Sequence, residues 1–225
     1  MRAPISVVIP TLNAEAALPG CLAALFEGLN AGVIRELVIV DGGSMDETVK
    51  IAEEAGATVV QSAPSRGGQL RAGVAASKGD WVLALHADTQ LAEGWSDVVA
   101  GHLSSEKAGY FKLCFDRKGL APRIVAGWAN LRSRLLGLPY GDQGMLVSRA
   151  LYTEVGGYPD IPLMEDVALA RALKGRMVPL QAHAVTSAGK YVRQGWLRRG
   201  GRNLWTLARY FTGVSPEKLA DAYRR

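Results

Sequence analysis

The stretch Trp81–Leu91 reads WVLALHADTQL. Residues 81–85 run apolar without alternation, which predicts a strand buried on both faces. The run stops at His86, Ala87, Asp88 and Thr89. A bare strand end needs neither a histidine nor a carboxylate, whereas a bound metal or phosphate would account for both. Working outward, ISVVIP (5–10), ELVIVDGGS (36–44) and ATVVQS (57–62) read as three more buried strands. Between them, Ala14–Leu29 carries apolar residues at helical spacing, Asp46 reads as an N-cap before Glu47–Ala55, and Gly68–Ser77 is helical after an Arg66-Gly67-Gly68 turn. Strands that alternate with helices and are apolar on both faces predict an α/β fold with a Rossmann-like, mostly parallel sheet flanked by helices.

Beyond Asp88 the pattern changes. Leu91–Leu103 and Leu120–Leu136 read as helices, and AGYFKLCF (108–115) as an edge or antiparallel strand. QGMLVSR (143–149) reads as a short strand and Ala150–Val155 as a short helix. PLMEDVALARALKG (162–175) opens on proline and acids and closes on basic residues and glycine, the polarity a helix dipole favours. With no repeat and no low-complexity linker, residues 1–189 are expected to form one domain. Residues 190–225 are then a helical tail, an appendage and not a second domain.

Composition limits the function classes. An apolar content of 48% in 225 residues is enough for a real core. Cys21 and Cys114 lie far apart in no metal-type spacing and read as free thiols of a reducing cytosol. ISVVIP is too short for a signal core, and no run approaches the ~20 apolar residues of a membrane span. The expected location is therefore cytoplasmic, with peripheral contact at the inner face of the plasma membrane as an option. Residues 1–189 carry 17 Lys/Arg against 19 Asp/Glu, and residues 190–225 carry 9 against 2. The body is near neutral and the tail basic, which points to an anionic partner for the tail and disfavours nucleic acid.

In an open α/β sheet, ligands bind beyond the carboxyl ends of the strands. Four groups stand there: Pro10-Thr11-Leu12-Asn13, Asp41-Gly42-Gly43-Ser44, Arg66-Gly67-Gly68 and His86-Ala87-Asp88. Each has a plainer reading: Asn13 or Asp88 as a helix cap, Asp41-Gly-Gly as a turn. The first strand is followed by neither GxGxxG nor a P-loop, which sets aside dinucleotide folds and P-loop enzymes. A nucleotide here needs a grip other than a glycine cradle. A Mg²⁺ or Mn²⁺ ion held by Asp88 and the substrate's phosphate oxygens fits, leaving Asp41 for a base or ribose.

The ordered run SVVIPTLN, LVIVDGGSMDET, LHADT and MEDVALA resembles the family 2 glycosyltransferases of GT-A fold, over roughly residues 4–175. The resemblance implies inverting transfer of a sugar from a nucleotide donor, UDP-linked by preference. It assigns Pro10, Thr11, Asn13, Asp41, Arg66, Ala72, Gly73 and Ala87 to the nucleotide. The family's Asp-any-Asp metal motif stands here as His86-Ala87-Asp88, which retains the ligating Asp88 and removes one negative charge. The Glu-Asp motif stands as Glu165-Asp166, with Asp166 as the base and Glu165 orienting the acceptor; the plainer reading is two acids at a helix start. His183 is a further candidate for the metal side. HADT, LPYGDQGMLVSR (138–149), PLMEDVALARAL (162–173) and FTGVSPEKLADAYRR further resemble a small bacterial subgroup assigned to arsenosugar biosynthesis.

Tyr140, Asp142 and Gln143, bracketed by Gly141 and Gly144, suit either a sugar pocket for donor or acceptor or a polar turn. The acceptor is expected to be a small molecule or lipid-linked. In Tyr191–Thr212 five arginines are interleaved with aromatic and aliphatic residues, and Gly200-Gly201 interrupts them. Two readings of this tail stand open: an interfacial helix on an anionic membrane, or a helix docked on the body, with arginine meeting a donor diphosphate or an oligomer contact. Two other functions also remain: a nucleotidyltransferase that forms nucleotide sugars, disfavoured by PTLN, and a nucleotide-binding module that has lost catalysis through His86.

Overall fold

The computed structural model describes residues 3–224. The first half follows the βα alternation: β1 (Ile5–Thr11), α1 (Leu18–Asn30), β2 (Ile34–Asp41), α2 (Thr48–Glu54), β3 (Thr58–Gln61), α3 (Arg66–Ala76) and β4 (Trp81–Ala84). These four strands pair in parallel. The second half adds β5 (Thr89–Leu91), α4 (Trp95–His102), β6 (Ala108–Phe115), α5 (Leu120–Leu136), a 3₁₀ turn (Gly141–Gln143), β7 (Met145–Ser148), α6 (Arg149–Glu154), α7 (Glu165–Ala172) and β8 (Met177–Thr186). The tail forms α8 (Gly189–Gln194), α9 (Trp196–Phe211) and α10 (Pro216–Arg224). One sheet runs β3-β2-β1-β4-β7-β6-β8-β5. Only the pairings β4–β7, β6–β7 and β5–β8 are antiparallel.

Both faces of the sheet are covered, which is why the parallel strands read as unbroken apolar runs. Ile5, Val7 and Ile9 face one core with Leu18, Leu25 and Trp95. Val8, Val38 and Val40 face another with Leu70, Val74 and Leu169. Each such side chain contributes about 1.5–3 kcal/mol by leaving water. A third cluster joins Met164, Val167 and Ala170 of the α7 region to Leu207 of α9 and Leu219 of α10. The tail is thereby docked on the body.

Several expectations need correction. Residues 91–103 do not form one helix: Thr89–Leu91 is an edge strand on β8, and α4 starts at Trp95. Of the two readings of residues 108–115 the antiparallel one holds, against β7, and the edge one does not, because β8 covers the side that β7 leaves open. The Arg66-Gly67-Gly68 turn is the first turn of α3, capped by Ser65. A Cβ at Gly67 would lie 2.1 Å from the Pro159 carbonyl oxygen, so glycine is what lets this helix start approach the 159–161 loop. Gly200 and Gly201 do not break α9, which runs through both. Among the described residues, no helix is long and apolar enough to cross a membrane.

Candidate active site

The ends of β1 and β4 and the start of α3 border a cleft of about 460 Å³, walled by Pro10, Thr11, Asn13, Arg66, Ala87 and Asp88, among others. Its loops are tied to one another. The Asn13 carboxamide oxygen accepts from the Met45 N–H (2.9 Å), and the Asn13 N–H donates to Ser44 Oγ (2.8 Å). Asn13 takes a left-handed φ of 50°, a local strain held by these bonds. Gln69, from α3, donates to the carbonyls of Thr11 (2.9 Å) and Val40 (2.8 Å) and so clamps β1 to β2.

Asp41 departs from its expected role. Its carboxylate is buried and already accepts from Thr11 Oγ1, Ser44 Oγ and the Gly43 and Ser44 N–H groups. Burial alone would raise its pKa, but these donors together outweigh burial and lower it. Asp41 is thus taken up by its own loop and not free for a base or ribose. Ala72 and Gly73 also lie off the cleft. A Cβ at Gly73 would strike Val8 and Val40, so Gly73 serves contact between α3 and the sheet, and Ala72 packs on the same core.

Next to the cleft lies a second cavity of about 150 Å³, and both are lined by Arg66, His86, Asp88, Leu163, Lys190 and Tyr223. The second cavity also holds Tyr140, Gly141, Asp142 and Asp166. Asp88 and Asp166 therefore share one chamber. Asp166 is the second residue of α7, after Glu165 and the N-cap Met164, whose φ of 70° is left-handed. The Gly141 N–H donates to Asp166 Oδ2 and the Val167 N–H to Oδ1, both at 2.7 Å. A Cβ at Gly141 would lie 2.2 Å from His86 Nε2, so glycine allows the 140–143 turn to close on the end of β4.

The groups around Asp166 are largely unsatisfied. Glu165 is 1% exposed, and neither oxygen has a hydrogen-bond partner. Burial, reinforced by Asp166, pushes its carboxyl up to about 8, although Arg66 Nε stands 3.6 Å away. Burial likewise pushes Asp142 up to about 6, with Arg132 opposing and Asp166 and Asp88 adding to the rise. His86 is pushed down to about 3 by burial and the Arg66 charge, so it is a neutral imidazole. Buried, partnerless atoms also include His86 Nε2, Tyr140 Oη and Asp142 Oδ1. Arg132 stacks on the Tyr140 ring, 3.4 Å from its centroid.

Gln143 turns away from the chamber. It is wholly buried, and its amide is consumed by Ser133, Phe111 and the Tyr140 N–H. It shapes the turn and is not in the sugar pocket. His183 is exposed on β8 and lines neither cavity. No group of three or more His, Cys, Asp or Glu residues suited to a metal exists among the described residues. Asp88 stands 3.8 Å from Lys190. The donor set fits a hard cation that arrives with substrate oxygens, not a preformed metal centre.

The tail supplies residues that were not among the expected site residues. Lys190, Tyr191, Arg199, Asn203, Thr206 and Tyr223 line the chamber. Arg199 and Asn203 bond to the Tyr223 hydroxyl at 3.0 and 3.2 Å, and Asn203 bonds to the Tyr191 hydroxyl at 3.1 Å. The sequence marked this region by its aromatic- and arginine-rich segment and by the motif FTGVSPEKLADAYRR, which contains Tyr223.

The family model described as glycosyl transferase family 2 matches residues 6–126. A PGL/p-HBAD biosynthesis glycosyltransferase of Mycobacterium tuberculosis is 39% identical over 101 residues, 41% of this chain and 39% of that protein. The chain thus spans about two fifths of that relative's length. S. aureus TarS, solved in complex with UDP, superposes with a TM-score of 0.62 at 18% identity, covering 82% of this chain and 61% of that one. Glucosyl-3-phosphoglycerate synthase of M. tuberculosis, solved with Mn²⁺, UDP and glucosyl-3-phosphoglycerate, gives 0.52 at 25% identity, covering 82% and 70%. The architecture shared with these neighbours is the GT-A fold.

Proposed function

The chain belongs to glycosyl transferase family 2, and from that premise we propose that it moves a sugar from a nucleotide donor, UDP-linked by preference, to an acceptor hydroxyl in one inverting displacement. The observation that carries this reading is the shared chamber of Asp88 and Asp166 beside the larger cleft. The nucleotide occupies the cleft over the ends of β1 and β4, and the acceptor alcohol enters the 150 Å³ chamber. Residues 1–189 act as the donor-binding and catalytic domain, and the tail completes the chamber wall.

Asp166 takes the acceptor's proton as its oxygen attacks the anomeric carbon. The Gly141 and Val167 N–H groups hold both oxygens of Asp166 in place. Burial and the neighbouring Asp166 favour the protonated form of Glu165, which suits it to orient the acceptor rather than to take its proton. Lys190 and Arg66, which border both cavities, stabilise the departing diphosphate. A Mn²⁺ or Mg²⁺ ion held by Asp88 and the donor phosphates would neutralise the same charge, with His86, a neutral imidazole, as a second ligand. The solved synthase complex with Mn²⁺ and UDP supports this placement by kinship. The likeness of residues 138–149 and 162–173 to the arsenosugar subgroup supports a small hydroxylated acceptor.

The test is a thermal-shift screen of UDP-, GDP- and dTDP-sugars with and without Mn²⁺, followed by product analysis. Metal-dependent stabilisation by a UDP-sugar, release of nucleoside diphosphate and an inverted product anomer are expected. Pyrophosphate release would make the chain a nucleotidyltransferase. Donor binding without transfer or hydrolysis would make it a lapsed module.

A further inference from the structure

Eleven of the fifteen exposed large hydrophobic side chains among the described residues lie on residues 120–136 and 192–211. Helix α5 turns Leu120, Ile124, Trp128, Leu131 and Leu135 to solvent at three- and four-residue spacing, which is one face of a helix. Leu120 is 76% exposed and Leu135 69%. Helix α9 packs beside α5 and shows a second row, with Leu197 at 91% and Trp205 at 67%. A monomer surface seldom leaves so much apolar side chain in one place without a partner.

The charges around these rows select the partner. Residues 117–141 and 187–216 contain no Asp or Glu. Arg117, Lys118, Arg123, Arg134, Arg193 and Arg198 are all exposed. None of the six is in an ion pair among the described residues. We infer that α5 and α9 together form a docking platform for an anionic lipid bilayer, their leucine and tryptophan rows entering the interface and their arginines meeting lipid phosphates. A second copy of the chain is disfavoured: a two-fold contact through this face would set arginines against their own equivalents.

The platform bears on the proposed reaction without depending on it. The inner side of α9 presents Arg199, Asn203 and Thr206 to the 150 Å³ chamber. Docking would hold that chamber about one helix diameter, roughly 10 Å, from the lipid surface.

Vesicle sedimentation of the full chain tests the platform. Phosphatidylcholine vesicles with about 30% phosphatidylglycerol should pellet the protein, and pure phosphatidylcholine should pellet far less. The pairs Ile124→Glu/Trp128→Glu and Leu197→Glu/Trp205→Glu should each lower partitioning by about tenfold or more, with melting temperature unchanged. Brominated lipid should quench wild-type tryptophan fluorescence in the anionic vesicles, a readout that needs no variant. The inference fails if the wild type stays in the supernatant, if brominated lipid leaves its emission unchanged, or if the glutamate pairs bind as the wild type does. It also fails if the wild type proves a stable dimer that the glutamate pairs dissociate. No sugar donor enters the experiment, so failure here leaves the transfer reaction standing.

Discussion

The two halves of the site are built on opposite terms. On the nucleotide side the polar groups satisfy one another: Asp41 accepts four hydrogen bonds, Asn13 ties the β1 loop to the β2 loop, and Gln69 clamps both strands. On the acceptor side they do not: His86, Tyr140, Asp142, Glu165 and Arg199 all carry buried atoms without partners. Buried polar atoms in a native fold are usually paired. The strand-end loops are therefore a satisfied scaffold, while the chamber around Asp166 leaves polar groups unpaired, as the proposed acceptor site requires. Its carboxyl groups at positions 142 and 165 are pushed upward for the same reason, since burial without partners penalises charge.

Four substitutions would break or sharpen this contrast. Asp166→Asn should lower turnover by about 10²–10⁴ while leaving UDP binding intact, since it removes the base and keeps the shape; loss of UDP binding with turnover retained would move Asp166 to the nucleotide side. Glu165→Gln should act next, through pH. In the wild type the unfolded carboxyl ionises near its ordinary 4.5 while the folded one holds its proton up to about 8. Stability is then fully present below 4.5 and lost as pH rises towards 8. The glutamine variant should abolish this fall, a difference on the order of a few kcal/mol in denaturation curves at pH 8.5. A wild-type curve that stays flat across that window would contradict a proton-bearing Glu165.

Asp41→Asn should destabilise the fold by about 1.5–3 kcal/mol, because buried donors lose a charged acceptor. Its effect on the chemical step should be small once the protein is folded and donor-saturated. A large loss of turnover without loss of stability would return Asp41 to direct work on the nucleotide. Gly141→Ala should be mildest, about 1–3 kcal/mol of overpacking against His86. Acceptor KM should rise more than donor Kd, which isothermal titration and initial rates separate.

How far the site was legible follows the same division. The strand-end loops each follow an apolar strand, so the positions of Pro10, Thr11, Asn13 and Asp88 at the cleft could be read from local pattern alone. Asp41 was located correctly at the end of β2, but its hydrogen bonds come from a turn geometry that the letters do not spell. Gln143 failed as a pocket residue because its direction depends on Ser133 and Phe111, distant in the chain. β8 had a readable signal, since buried Leu180, Ala182 and Ala184 alternate with exposed Gln181 and His183. The alternation is weak because two of the three inward residues are alanines. α10 was announced by Ser215-Pro216-Glu217, a helix-start pattern in a segment otherwise read for its charge.

The sequence by itself determined the α/β class, the parallel strands of the first half, the strand-end loops and the Glu165-Asp166 pair. These depend on periodicity and on neighbours within a few residues. Tertiary structure alone decided that α9 and α10 wall the chamber, that Glu165 is stripped of water beside Asp166, and that α5 and α9 leave apolar rows exposed side by side. Burial, desolvation and contact are properties of surfaces that meet across the fold, and no local spacing of residues contains them.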